Sequence, residues 1–527
     1  MSEVSVFKPW VPNWAVVGII FFCLLQSMIL LGVYTSNVTY AASFLDVEVE
    51  DLQFSMCVTY GTFLSTLLIE SRFFKFFPTK KYFLVIYSLA AITFILTAYT
   101  ENFSLFIILR IAEGIVMALP VVSLRQFLIS RFKSKNAIII GFTINYGALI
   151  LASPFIMNIA VWLLENYDWK YMAYGSALFQ IGCVALIMLT FNDNRFHRKI
   201  PLYQIDWTSY ILLLTAILCG AYFMVYGEKK YWFESSQIAA ALTVALLTGG
   251  FFIARQMQVR RPTFDMRIFR YDNLRTGLLL SVVFYIARST LNICHSTMFT
   301  VWNWEPSRVA QVQYLNVLGN IIGMVVTGIF LAKAVTSRTI FIIGFSLFAL
   351  FHFWFTFLFV PDVSLADIAI PYILQGVAVG IIFVPLVLFT VSAVPTHYGA
   401  FAGIAGVAGR FWGSIMGFAI IQNASVFLQK KHFTKFRQFV LPESPETQMR
   451  LEQMIKSFLS KGYNADDATK LAMKQIIGSV SKQSVLLSNM EIFTVMGSVM
   501  LMIVVFLLIN QHLKQTFDIF KNRIWDN

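Results

Sequence analysis

Arg110 and Glu113 stand three residues apart in an apolar run, residues 103–124, that holds no other charge. That spacing puts both on one helical face, where they can pair directly. A charge at the centre of a bilayer costs at least ~2.5–3.5 kcal/mol on insertion scales, so an ionisable residue kept there is a candidate for function. The chemistry open to the pair is proton exchange: a carboxyl that gains or loses a proton according to access and bound substrate, sensed by the guanidinium beside it. A static structural pair is the other reading. Arg288 and His295, seven apart in the run 276–299, would share a face of one helix and suit an anionic or zwitterionic ligand. Arg410 lies among Gly406, Gly409 and Gly413, so it either meets substrate or anchors a close approach of helices. Asn145, Tyr146 and Gln26 interrupt otherwise apolar surfaces and complete a candidate substrate cavity. His352, in a Phe/Trp-rich run, reads as a packing histidine.

Other chemistries lack their residues. The six histidines are scattered, with no H-x-x-x-H or H-E-x-x-H spacing for a metal enzyme, and no G-x-x-x-x-G-K-[ST] loop is present to hold ATP. All five cysteines fall inside apolar runs without C-x-x-C spacing, which argues against disulfides and thiolate metal sites. The expectation is a non-enzymatic protein without cofactor or metal. A transport-dead receptor or scaffold stays open beside transport.

The elements that must position these residues are membrane spans. Of 527 residues 58% are hydrophobic and 13% charged, so the bilayer is the solvent for most of the chain. A bilayer core of roughly 30 Å takes about 20 apolar residues per helix, and fourteen such runs can be counted from 14–38 to 489–511. An all-α polytopic fold follows. The net charge of +13 is a topology signal, not a nucleic-acid one. Lys and Arg concentrate in the loops after even-numbered runs, among them Arg72, Lys80 and Lys81, and Lys333 and Arg338. These loops would be cytoplasmic gates, and both termini would be cytoplasmic.

Residues 430–488 break the pattern as a long polar segment on the other side. Ser444-Pro445 opens one amphipathic helix, and Asn464 with Asp467 opens a second. Both would lie on the membrane, on a partner or on the chain's own loops. Lys75 to Lys80 resembles Lys333 to Arg338 at an offset of 258, and Glu113-Gly114 with Pro120 resembles Gln375-Gly376 with Pro385 at an offset of 262. The offsets suggest two related halves. The expected division is an N-terminal six-helix bundle at 1–200, an inserted helix pair at 201–258, five helices of the C-terminal bundle at 259–429, the 430–488 loop, and a last span with tail at 489–527.

Several stretches match a known pattern. Leu109 to Gly114 resembles an R-x-x-Q-G motif, and Asp168-Trp169-Lys170 a pair that opens a sixth span. Ile205-Asp206-Trp207 with Arg261-Pro262 through Phe269 resembles the surroundings of an inserted helix pair. Leu374-Gln375-Gly376 through Pro385-Leu386, with Gly403 through Arg410 to Gly417, resembles two late spans. Together they resemble the major facilitator superfamily, in its fourteen-span drug:proton antiporter branch (EmrB/QacA type), over most of the chain. The sequence departs from that branch in three places. The loop after the second span lacks its Gly and Asp, the fifth-span motif is reduced to Ser153-Pro154, and the first span has Gln26 but no acid.

The resemblance implies export of small amphipathic compounds by proton antiport from a cell inner membrane, with Arg110 and Glu113 as the coupling pair. It also implies a periplasmic adaptor protein and outer-membrane channel as partners beside the lipid bilayer. A narrow-specificity transporter of an anionic or zwitterionic metabolite is the alternative.

Overall fold

The computed structural model describes residues 6–35, 45–132, 137–168, 170–195, 199–333, 335–440 and 444–509. The described chain is helical: α1 (Asn13–Thr35), α2 (Val49–Phe76), α3 (Thr79–Ala98), α4 (Phe103–Ala118), α5 (Val121–Ser130), α6 (Ala137–Asn166), α7 (Lys170–Thr190), α8 (Trp207–Tyr226), α9 (Ser236–Gln258), α10 (Asp272–Arg288), α11 (Leu291–Thr300), α12 (Pro306–Ala332), α13 (Ser337–Thr356), α14 (Leu365–Ser392), α15 (Gly399–Arg437), α16 (Pro445–Ser460) and α17 (Ala465–Ile509). Among the described residues thirteen helices are long and apolar enough to cross a membrane, with α4–α5 and α10–α11 each forming one interrupted span. α1 is apolar over Asn13–Gln26, a stretch shorter than those thirteen, and precedes them in the chain.

Local chemistry sets the helix starts. The Asn102 side chain accepts from the Ser104 and Leu105 N–H groups to open α4, and Ser364 and Asp367 cap α14 reciprocally. Asp206 caps α8 through the Ser209 N–H and also takes two hydrogen bonds from Arg255 at the end of α9, at 3.0 and 3.1 Å. Gln256 then donates to Ser209 and accepts from the Phe264 N–H. The inserted pair α8–α9 is thereby latched at one end.

Two six-helix bundles form around this pair. In the first, α3 packs on α7, α2 on α4, and α1 on α6; in the second, α12 packs on α14, α13 on α17, and α10 on α15. Glycines allow the closest crossing. A Cβ on Gly319 would sit 2.1 Å from the Ile373 carbonyl oxygen, and one on Gly376 would sit 2.3 Å from that of Asn316, so α12 and α14 meet backbone to backbone. Phe348, Phe351, Phe355, Phe359 and Phe493 stack between α13 and α17, which is where part of the phenylalanine excess goes. α8 packs on both α2 and α15, whereas α9 packs mainly on α8 and faces outward along most of its length.

The C-terminal region differs from the two-helix expectation. α16 forms at Pro445–Ser460 as the Ser-Pro start predicts. The expected second helix is instead the beginning of α17, a continuous helix of 45 residues that runs into the last span, and α15 continues to Arg437. Nothing in residues 477–488 stops a helix: the segment has no proline, and Gly478 alone is a weak breaker. At 1.5 Å per residue α17 is roughly 67 Å long, about twice a bilayer core, so the segment stands out from the bundle and does not lie flat. The apolar face of α16 (Leu451, Met454, Ile455, Phe458) is half-buried there, and α16 packs on α17.

Candidate functional site

The two bundles enclose a cavity of about 680 Å³. Its wall takes Tyr60 and Glu70 from α2, Arg125 from α5, Asn145 and Tyr146 from α6, Tyr285 and Arg288 from α10, and Arg410 and Ser414 from α15. Its lining extends to Arg72, Pro262, Thr263, Ala400 and Phe401, at the loop end of α2, α9 and α15, which we read as its mouth. Away from the mouth the bundles touch: Asn158 of α6 donates to the Ala310 carbonyl of α12 at 2.9 Å, and the Phe155 and Tyr314 rings lie 5.7 Å apart.

Arg410 organises the middle. Its Nε donates to the Gly406 carbonyl at 3.2 Å, and one terminal nitrogen reaches the Tyr146 hydroxyl at 3.4 Å. Its guanidinium carbon lies 5.0 Å from the centre of the Tyr146 ring and 6.0 Å from that of Phe383. Gly413 and Gly417 allow this by bringing α15 against α10, where an added Cβ would sit 2.9 Å from backbone atoms of Val282 and Ile286. Arg125, from the same bundle as Tyr146, also reaches its hydroxyl. Tyr146 therefore joins a cation of each half.

Arg110 and Glu113 form the expected pair, 2.5 Å apart, with both side chains fully buried. Thr97 of α3 donates to the second carboxylate oxygen at 3.2 Å, and Thr59 of α2 donates to the Arg110 carbonyl. Gly114 lets α2 approach, since a Cβ there would meet the Thr59 carbonyl oxygen at 2.6 Å. The pair lies inside the first bundle, not on the cavity wall.

The remaining sequence candidates scatter. Asn145, Tyr146, Arg288, Arg410 and Arg72 line the cavity; Gln26 and His295 do not. Gln26 is fully buried, and neither atom of its amide meets a hydrogen-bond partner among the described residues. His295 bonds Gln313 of α12. Between Arg288, on the cavity wall, and His295, off it, the helix tightens at Ser289–Thr290, where the Thr290 N–H bonds the Ala287 carbonyl. His352 is enclosed, with its ring nitrogens meeting Thr290 and Phe348 at 3.1 and 2.7 Å. Among the loop residues, Lys80 faces Asp193 at 3.6 Å, Lys81 and Lys333 are exposed, and Arg338 donates to the carbonyls of Leu507 and Leu508, closing the end of α17.

Sequence reasoning misses Glu70 and Arg125. Glu70 falls at the end of the second apolar run, 53–71, and Arg125 is grouped with the loop after the fourth, but α2 continues to Phe76 and α5 to Ser130 and so brings both onto the cavity wall. The available signal is the uncharged stretch from Leu52 to Ile69 that precedes Glu70.

A cavity between two membrane-spanning bundles, its largely apolar wall carrying a few convergent cations, is the architecture of a small-molecule transporter. The chain belongs to the Major Facilitator Superfamily, whose family model matches residues 16–418. It is 24% identical over 442 residues to the Multidrug export protein EmrB of Haemophilus influenzae, covering 82% of this chain and 83% of that one. It is 21% identical to the Fatty acid resistance protein FarB of Neisseria gonorrhoeae, over 80% of this chain and 81% of the relative. Two solved structures share the fold at low identity. One is a POT family transporter in complex with a thioalcohol conjugated peptide, with TM-score 0.58, 13% identity and 94% and 95% of the chains covered. The other is the proton:xylose symporter XylE, with TM-score 0.53, 12% identity and 79% and 90% covered.

Proposed function

We propose that the protein is a proton-coupled exporter of amphipathic small molecules, preferring those that carry a negative charge. The observation that carries this reading is the cavity wall: Arg72, Arg125, Arg288 and Arg410 against the single acid Glu70, interleaved with Tyr60, Phe63, Tyr146, Tyr285 and Phe401. Aromatic rings take an apolar body, and guanidinium groups take an anionic head in a site shielded from water. The relatives named for multidrug export and fatty acid resistance support export of amphipathic compounds.

Coupling is assigned to Arg110 and Glu113. A buried carboxylate held by one arginine has two stable arrangements, paired when ionised and released when protonated, and these bias the bundles between two openings. The helix ends and loops beside the mouth carry Lys75, Lys80, Lys81, Arg260 and Arg261, so that end is read as cytoplasmic in a cell inner membrane, and both termini with it. One charge crossing 100 mV gains ~2.3 kcal/mol, so exit of an anion from a negative interior and inward passage of a proton are both favoured. The segment formed by α16 with the ends of α15 and α17 is the surface offered to a periplasmic adaptor.

The test is accumulation of anionic, neutral and cationic dyes in efflux-deficient bacteria carrying wild type, Glu113→Gln or empty vector, with the proton gradient intact or dissipated. Lower accumulation of anionic dyes with wild type alone, lost with the gradient, is the expected result. Wild type matching empty vector throughout rejects the reading, and Glu113→Gln matching wild type rejects the coupling assignment.

A further inference from the structure

One buried acid has no part in that scheme. Glu70 lies in α2, six residues before its end, is 2% exposed and faces the cavity. Its Oε1 is buried and meets no hydrogen-bond partner among the described residues, while Ser123, at the start of α5, lies within hydrogen-bonding reach of the carboxyl. The charged and titratable groups around it are Arg125 from α5, Lys75 from its own helix and Tyr82 from α3, whose hydroxyl donates to the Leu119 carbonyl at 2.7 Å. Arg72 shares the cavity wall with it. Arg125 leads onward to the Tyr146 hydroxyl, and Tyr146 to Arg410. Glu70, Arg125, Tyr146 and Arg410 thus stand on one cavity wall, from the first bundle to the cation in the middle of the second.

We propose that Glu70 is a proton-binding carboxyl of the central cavity whose charge state sets the cavity's affinity for an anionic group, through Arg125 and Tyr146 onto Arg410. Ionised, Glu70 offsets Arg125 and repels a second anion. Protonated, it leaves Arg125, Tyr146 and Arg410 as an uncompensated receptor for a sulfonate, carboxylate or phosphate head. The break at Leu119–Pro120 that separates α4 from α5 is what places Ser123 and Arg125 beside it. The assignment rests on the anion reading of the cavity and is separate from Glu113, which lies off the cavity wall. A carboxyl that merely fills space beside cations would change affinity equally at every pH; a proton-binding one changes the slope with pH.

The experiment measures displaceable binding of tritiated naphthalene-2-sulfonate, whose head stays ionised throughout, to the full chain in nanodiscs between pH 5.5 and 8.5. Wild type is expected to bind about tenfold tighter at the acid end, the size of one charge removed near a bound anion in a medium of intermediate dielectric. Glu70→Gln is expected to bind with the wild type's acid-end affinity at both pH values, and Glu113→Gln to keep the wild-type slope. A wild-type slope retained in Glu70→Gln overturns the Glu70 assignment while leaving the anion reading standing. No displaceable binding by wild type at either pH overturns the anion reading itself. If Glu70→Gln does not survive purification, Arg125→Gln carries the same test: loss of the slope supports the relay, and an intact slope overturns it.

Discussion

At the scale of the residue, the molecule keeps its membrane-embedded charges in two ways. Arg110 and Glu113 answer each other inside one bundle, sealed by Thr97 and Thr59, whereas Arg410 is answered by a ring face and a hydroxyl on a cavity wall. The consequences of mutation differ accordingly. Removing one partner of a buried pair strands the other, at a cost of about 3–5 kcal/mol, while removing both leaves only a packing defect. Glu113→Leu should therefore unfold at a clearly lower temperature than wild type, and Arg110→Met with Glu113→Leu should recover more than half the loss. Unmasking of the native cysteines by a thiol-reactive dye on heating measures this, since Cys23, Cys183 and Cys294 are buried in the folded state. Arg410→Gln should keep the wild-type unfolding temperature to within a few degrees and lose at least tenfold in transport of an anionic dye, because its cavity position lets water replace what it held. The Arg110–Glu113 pair is legible in the sequence because each of two opposite charges, three apart in an apolar run, needs the other to be tolerated there. Arg125 is not, because hydropathy cannot distinguish a helix that ends from one that continues past a charge, and Glu70, at the edge of its apolar run, has no opposite charge within helical reach inside that run to mark it.

Among the helices, what decides packing is the absence of side chains at a few positions. Gly319 and Gly376 admit the backbone of the facing helix, so Gly319→Ala must push α12 off α14 and should cost about 3 kcal/mol. Gly328, on the same helix, has nothing within 4 Å of an added Cβ, so Gly328→Ala should gain ~0.5–1 kcal/mol through helix propensity alone. Opposite shifts in unfolding temperature would separate the crossing from a general effect of glycine. The spacing of these glycines is readable in advance; which partner each meets is not, because the sequence carries no record of which helices face one another. The latch on α8 and α9 is a second element-scale device. Burial opposes ionisation of Asp206, but hydrogen bonds from Arg255 and Ser209 outweigh it and hold the carboxyl below its usual range. A depressed carboxyl contributes stability at neutral pH and loses it as pH falls through its folded value. Asp206→Asn should accordingly lower the unfolding temperature by a few degrees at pH 7, and the gap to wild type should close in strong acid, where the wild-type carboxyl is protonated too. An unchanged gap across that range would assign the effect to shape instead of charge.

For the whole molecule, the question is how two bundles exchange one opening for the other. The cavity opens between the loop ends of α2, α9 and α15, and the opposite end is held by α6 against α12 through Asn158 and Ala310 and the Phe155–Tyr314 rings. Alternating access by rocking of two halves requires that seal to part once per cycle. A single hydrogen bond to a carbonyl contributes on the order of 1 kcal/mol net, and one aromatic pair about the same, so the seal is weak enough to open on the timescale of transport. A covalent bond at that point would not be. With the five native cysteines replaced, Asn158→Cys and Ala310→Cys together should transport when reduced, stop when a disulfide forms, and resume on reduction, with each single variant indifferent to oxidant. The same bond should leave binding of an anionic probe from the mouth side intact, because the cavity stays reachable from that end. Transport that persists with the disulfide in place would mean that the α6–α12 contact is a fixed hinge and that the halves part elsewhere. Of the other contacts that cross between the bundles, that of α2 with α15 would then be the next to cross-link.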